Sequence, residues 1–333
     1  VTGVVNQQAI LYPADMAGSV LAQTNHGQWC SQTETIEISG HPHQATWNMR
    51  HVKYTETNNT FSNVELGSNV ITQVGHSYNH FVINPHNGDL YHRLAEAGTG
   101  NLHVVKKPLA SRTAWQSTVP TGPEHWYQAI AAGACWWSGS FTGGQGTGAH
   151  GCMMVFDSGS ADGGPTSGIV SAYDPIKNLW IYSQNGMAPN TTDTYHVVME
   201  YSAVKNVAVY GGGNNYPRQL WRLNSDGTRV AMPLIPSGDI GIGVPTPAGR
   251  LVVDPVSGNF LVLTSGQLWE LNPSGSGTWT QQTSTRVPPA GVGNPNISDT
   301  WIASVALPDH GCVGFIRCDS SGSNCVFWLY RHA

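Results

Sequence analysis

The sequence predicts an all-β chain closed into a β-propeller of six blades. Three observations predict it: a composition suited to turns and buried aromatics, a repeated four-strand plan, and an incomplete last repeat matched by an unpaired apolar stretch near the other end. Charged residues make up only 11% of the 333, against 39 Gly, 20 Pro and 12 Trp. Such a chain has few polar helix faces and many turns and large apolar anchors. Its length suits one repeat-built body as well as two ordinary domains, so residues 1–333 are read as one propeller domain.

The repeat is clearest in three segments. Residues 78–119 contain YNHFVINPHNGDLYHR, NLHVV and TAWQSTV; residues 194–236 contain TYHVVMEYSAVKNVAVYGGG, RQLWRLN and RVAMPL; residues 248–283 contain AGRLVVDPVSGNFLVLTSG, QLWELN and GTWTQQ. Each has an apolar strand, a polar turn, a second strand, a loop, and an outer hairpin with an aromatic. Gly or Asn in the turns NPHNGD, SAVKN and DPVSGN supplies the positive φ that a tight hairpin requires. A further copy, 126–185, carries a Gly-rich insertion but keeps the outer hairpin VSAYDPIKNLWIYSQ. Residues 52–66 align with that hairpin, Tyr54 over Tyr173 and Phe61 over Trp180. The alignment makes residues 33–39 the second strand of the first blade and 19–24 its innermost strand. Blades then start near 19, 76, 126, 194, 248 and 301, a spacing suited to propeller repeats with insertions. The last copy stops after three strands. Residues around 4–12 are expected to supply its fourth and close the ring, leaving no open sheet edge. Seven blades stay open if the first 40 residues hold more structure.

The six cysteines predict an oxidising compartment, secreted or periplasmic, with bridges Cys135–Cys152 and Cys318–Cys325 between adjacent strands. Cys30–Cys312 is the remaining pair, joining the first and last blades. No C-x-x-C spacing offers these residues a metal or redox use. The beginning of the chain lacks the basic and apolar regions of a signal peptide, so an exported protein is expected to be represented by its mature form. A net charge of −5 without a Lys/Arg cluster argues against a nucleic-acid partner, and no stretch has the apolar length of a membrane span. The expected partner is a polysaccharide or oligosaccharide, and the expected state a monomer.

The glycines 211–213 that end a second strand, with Tyr173, Asp174, Pro175 and Trp180 of an outer hairpin, resemble kelch repeats from about residue 50 onward. The resemblance implies four-stranded blades around a channel. It also implies a site on the face formed by the loops leading into each first strand and joining the second strand to the third. It implies no particular reaction.

On that topology histidines gather at the predicted mouth. The first blade offers His41, His43 and Gln44; the second His76, Tyr78, Asn79 and His80; the third His125, Trp126 and Tyr127; the fourth Tyr195, His196, Tyr216 and Arg218. Any one of them is more often a satisfied strand-end hydrogen bonder than a catalyst; clustering from several blades favours function. The reading this favours is a polysaccharide lyase acting on a uronic-acid polymer by β-elimination, which needs a carboxylate neutraliser, a base and an acid. Arg218 with Asn79 or Gln44 would neutralise, His80 or His196 would take the proton, and Tyr78 or Tyr195 would donate one. The composition of this set weakly resembles propeller-type polysaccharide lyases. A glycosidase is disfavoured, since Glu124 is nearly alone among acids there. Two alternatives stand beside the lyase. One is a lectin-like propeller using tryptophans such as Trp126, Trp136 and Trp137, the outer-strand Trp180, Trp221, Trp269 and Trp328 being read as packing. The other is a copper or zinc enzyme resembling kelch-type copper oxidases, with His41, His43 and a third histidine from His76, His80 or His196 as ligands. No cofactor is otherwise expected.

Overall fold

The computed structural model describes residues 8–10, 26–40, 50–58, 60–66, 80–95, 102–111, 115–118, 120, 132–157, 168–184, 186–187, 197–213, 218–240, 250–264, 267–283, 302–318 and 325–332. These residues form six four-stranded antiparallel sheets, the blades of a propeller, with short 3-10 turns at Glu56–Asn58 and Pro308–His310. The first strand, β1 (Gln8–Ile10), pairs antiparallel with the last strand of the chain, Ile10 opposite Cys325. Blade one is β2 (Gln28–Cys30), β3 (Thr35–Gly40), β4 (Arg50–Thr55) and β5 (Thr60–Leu66). Blade two is β6 (Phe81–Ile83), β7 (Asp89–Ala95), β8 (Leu102–Pro108) and β9 (Gln116–Thr118). Blade three is β10 (Gly133–Trp137), β11 (Cys152–Asp157), β12 (Ile169–Asp174) and β13 (Leu179–Gln184). Blade four is β14 (Val198–Ser202), β15 (Val207–Gly211), β16 (Leu220–Asn224) and β17 (Arg229–Ala231). Blade five is β18 (Arg250–Val253), β19 (Phe260–Thr264), β20 (Gln267–Asn272) and β21 (Thr278–Gln281). Blade six contains β22 (Ile302–Leu307), β23 (Cys312–Cys318) and β24 (Cys325–Tyr330), with β1 at its outer edge.

First strands of neighbouring blades touch in the order β2, β6, β10, β14, β18, β22 and back to β2, so they ring a central channel. One strand differs from the sequence expectation. The innermost strand of blade one is β2 at residues 28–30, not 19–24. The outer hairpin alignment holds: Tyr54 pairs with Phe61 as Tyr173 pairs with Trp180.

The core lies between blades. Buried apolar residues fall into six clusters, one for each seam of the ring. Strand alternation explains how one strand serves two seams. In β10, Ala134 and Trp136 pack toward blade two, while Cys135 and Trp137 pack toward blade four. Trp180, Trp221, Trp269 and Trp328 are all buried, as expected for packing residues.

The turns after the first strands share one device. A left-handed residue ends the turn at Gly88, Asn206, Gly258 and Gly311, and unexpectedly at Glu34, whose φ is 51°. Residues before proline cap several turns with their side chains. Asp254 accepts from the backbone of Val256 and Ser257, Asn84 accepts from that of His86, and Asp174 does the same in an outer turn for Ile176 and Lys177.

Two of the three expected disulfides are corrected. Cys30, Cys135, Cys152 and Cys312 are free, buried thiols. Cys135 lies opposite Met154, and Cys152 opposite Trp137. They are therefore diagonal neighbours, whose Cβ atoms stand roughly 7–8 Å apart where a disulfide wants about 3.5–4.5 Å. Cys30 belongs to the seam between blades one and two, and Cys312 to the seam between blades six and one. The two thiols therefore sit on opposite faces of blade one. Cys318 lies directly opposite Cys325 in the register of β23 and β24.

Candidate functional site

A pocket of about 270 Å³ occupies one end of the channel, and all six blades line it. The contributions come from the ends of the first strands and the turns that follow: Gln28 and Trp29, Ile83 and Pro85, Trp136 and Ser138, Tyr201 and Val204, Val253 and Pro255, Ala306 and Pro308. It thus opens on the face of the first-to-second-strand turns, opposite the mouth expected from the sequence.

Two ionisable groups meet inside the pocket. Glu200 stands in the middle of β14, in a strand otherwise made of Val, Met, Tyr and Ser. His26 precedes β2 and is set in register by a parallel bridge to Ser304 of blade six. Its Nδ1 lies 2.7 Å from Glu200 Oε1, spanning from blade one to blade four. Both side chains are almost fully buried. The other ring nitrogen of His26 meets the Gln28 side-chain amide, whose oxygen in turn accepts from the Ile83 N–H. Phe81 sits edge-on to the same imidazole at 5.7 Å. The Cys135 thiol also lines the pocket, and burial, then the Glu200 charge, then Cys152 push its pKa well up, so it stays protonated.

Other polar groups of the wall are occupied too. The Trp29 indole N–H donates to Asp309 at 2.7 Å, Tyr201 donates to Asn206 at 2.9 Å, and Ser202 donates to the Gly258 carbonyl at 2.8 Å. Asp254 is fully buried and turned onto its own turn. Among the described residues the lining contains no Lys or Arg. What it offers an incoming molecule is therefore the Glu200 carboxylate beside aromatic faces.

Of the residues predicted for the opposite mouth, His80 and Arg218 are described. His80 is buried at the start of the second blade, its ring 6.3 Å from His92 and its carbonyl accepting from the Arg93 N–H. Arg218 spends its guanidinium on backbone, donating to Ile235 O at 2.9 Å and 2.5 Å and to Pro236 O at 2.7 Å. His41, His43, Gln44, His76, Tyr78, Asn79, His125, Trp126, Tyr127, Tyr195, His196 and Tyr216 lie outside the described residues. His41 and His43, expected from the sequence as copper or zinc ligands in the metal alternative, are among them. Within the described residues no three His, Cys, Asp or Glu side chains are grouped to hold a metal ion.

Sequence reasoning missed His26, Gln28, Cys135 and Glu200. An acidic residue inside the apolar stretch VVMEYS was the available signal for Glu200. His26 gave none, because the innermost strand of its blade was placed upstream.

No protein-family model matches the chain, and no curated protein matches it. Solved propellers do. The Penicillium chrysogenum alpha-L-arabinanase complexed with arabinobiose is 11% identical, with a TM-score of 0.56 over 98% of this chain and 98% of that one. A luciferin-regenerating enzyme is 10% identical, TM-score 0.54, over 98% and 96%. An auxiliary nutrient binding protein from Bacteroides ovatus is 13% identical, TM-score 0.53, over 98% and 77%. At such identities the likeness establishes the fold, a six-bladed β-propeller.

Proposed function

We propose that this propeller is a carbohydrate-binding protein that takes a neutral sugar unit in its channel pocket. The observation that carries the reading is the pocket's chemistry: aromatic walls and the carboxylate oxygens of Glu200, with no Lys or Arg among the described lining residues. A sugar hydroxyl donates to such oxygens, while the apolar face of the ring lies against Trp29 or Tyr201. A uronate would bring a second anion beside Glu200 with no guanidinium or ammonium to receive it. Catalysis is disfavoured at this mouth because the imidazole has both nitrogens engaged and the tyrosine and serine hydroxyls donate elsewhere.

Lyase action on a uronate polysaccharide, with its kelch-type site, belongs in this proposal to the opposite mouth and to His196, Tyr78 and Tyr195. His80 and Arg218 are weaker members of that set, being buried and bound to carbonyls respectively. The experiment runs the full chain against neutral oligosaccharides and uronate polysaccharides, following binding by calorimetry and cleavage by ultraviolet absorbance of unsaturated ends and by new reducing ends. Binding of a neutral sugar without either product, lost in Glu200→Ala and kept in His196→Ala, is expected. Unsaturated ends from a uronate polymer, abolished by His196→Ala, would replace the binding reading with the lyase. Reducing ends without unsaturation would make the protein a hydrolase.

We further infer an extracytoplasmic location, supported by the direct pairing of Cys318 with Cys325. Intact mass after alkylation of the unreduced, unfolded chain tests it. Four labelled thiols fit a Cys318–Cys325 bridge, and six remove the argument.

A further inference from the structure

We propose that the cleft where the last blade meets the first is a second binding site, built for a small amphipathic carboxylate with an aromatic body. The cleft measures about 280 Å³. Blade one supplies Trp29, Ile36 and Tyr54 to its walls, and blade six supplies Leu307, Phe327 and Leu329. Four of these, Trp29, Tyr54, Phe327 and Leu329, are only partly buried although they pack on the cluster that fills this seam. Large apolar side chains at a seam are normally covered by the facing blade, and those left open gain when an apolar body enters. Tyr54 already packs its ring against Phe61 and Phe327, at 5.1 Å and 5.7 Å, so one wall of the cleft is a fixed aromatic surface suited to a ring.

Charge decides which apolar body. Three ionisable side chains stand on the rim: Glu56, His310 and Arg331. Glu56 is held by His310 at 3.3 Å, and His310 also packs edge-on to Trp29 at 5.1 Å. The nearby Asp309 takes the Trp29 indole N–H. Cys312, deeper in the cleft, carries no charge at neutral pH, since burial pushes its pKa up to about 11. Arg331 is exposed, and among the described residues it makes no ion pair. A guanidinium exposed at the mouth of an apolar slot is the pairing site for a carboxylate whose hydrocarbon body fills the slot.

The test uses 3-phenylpropionate and its uncharged analogue 3-phenylpropanamide, with saturation-transfer NMR for contact and calorimetry for affinity. Wild-type protein should saturate with the acid and bind the amide roughly tenfold more weakly, the difference made by one charge-assisted contact. Arg331→Gln should bring the acid down to the affinity of the amide and leave the amide unchanged. Leu329→Trp, which fills the slot, should remove both. Equal affinity for acid and amide in the wild type, a preference that survives Arg331→Gln, or no saturation by either probe would overturn the proposal. Arg331 is exposed, so its variant decides the matter even if Leu329→Trp fails to fold. None of these outcomes depends on sugar binding in the channel.

Discussion

Gly133→Ala should loosen the ring where blades three and four meet. Gly133 begins β10, and a Cβ built there would stand 2.7 Å from the backbone carbon of Val198 and 2.8 Å from the backbone nitrogen of Met199. These are backbone atoms of the neighbouring first strand, so no rotamer change relieves the clash. Restoring ordinary contact means parting two inner strands by about half an ångström or more, an overpacking penalty of roughly 1–3 kcal/mol. Alanine recovers up to about 1 kcal/mol by restricting the unfolded chain. From mid-range values the net loss should be about 1–2 kcal/mol, which at an unfolding entropy of roughly 2.1 cal/mol/K per residue is a fall in melting temperature of about 1–3 °C for a chain this long. Gly148→Ala is the control, since a Cβ there meets only the movable ring of His150. Thermal melts and urea titrations on both variants provide the measurement. A Gly133→Ala protein that melts with the wild type, or a control that falls equally, would show that the strands are not in contact as described.

Asp254→Ala removes the acceptor for Val256 and Ser257 in a turn beside the channel, and should cost about 1–3 kcal/mol in urea unfolding, with Asp254→Asn recovering part of it. Alkaline pH should destabilise the fold: burial raises Cys312 to about 11 and Tyr182 to about 12, so above about pH 9 the unfolded chain binds fewer protons than the folded one and stability falls as pH rises. Unfolding free energies that stay level between pH 8 and pH 11 would contradict that burial. Trp29 lines both the channel pocket and the seam cleft, so Trp29→Ala should weaken neutral-sugar and phenylpropionate binding together; loss of only one would separate the two sites.

The architecture was legible because each blade carries its own local signals. A turn with a left-handed Gly or Asn, followed by an outer hairpin with a Tyr or Trp, fixes three of four strands without knowledge of the rest of the ring. Blade one broke the rule at the point where those signals are absent. Its turn ends on Glu34, a residue with no preference for positive φ, and its first strand is only Gln28–Cys30. Nothing in three residues marks a strand, and the apolar segment upstream carries the stronger strand signal. The cysteines misled for a related reason: proximity in adjacent strands was visible, but pairing also depends on register, and a stagger of two residues separates Cys135 from Cys152.

The site was less legible than the fold, and the cause is geometric. In a closed ring the middle of each first strand faces the middle of the strand three blades away, so His26 and Glu200 become neighbours only once all six blades are in place. Composition could show many histidines; it could not show which one sits in the channel pocket opposite an acid. Burial then reverses the usual inference from residue type. His80 and Arg218 looked catalytic as isolated letters, yet one is packed against His92 and the other is tied to two carbonyls. Glu200 looked like an irregularity in an apolar strand, and it is the acid that meets His26 inside the channel pocket. In this propeller, therefore, the lone charged residue at the centre of an inner strand marks where the channel pocket lies.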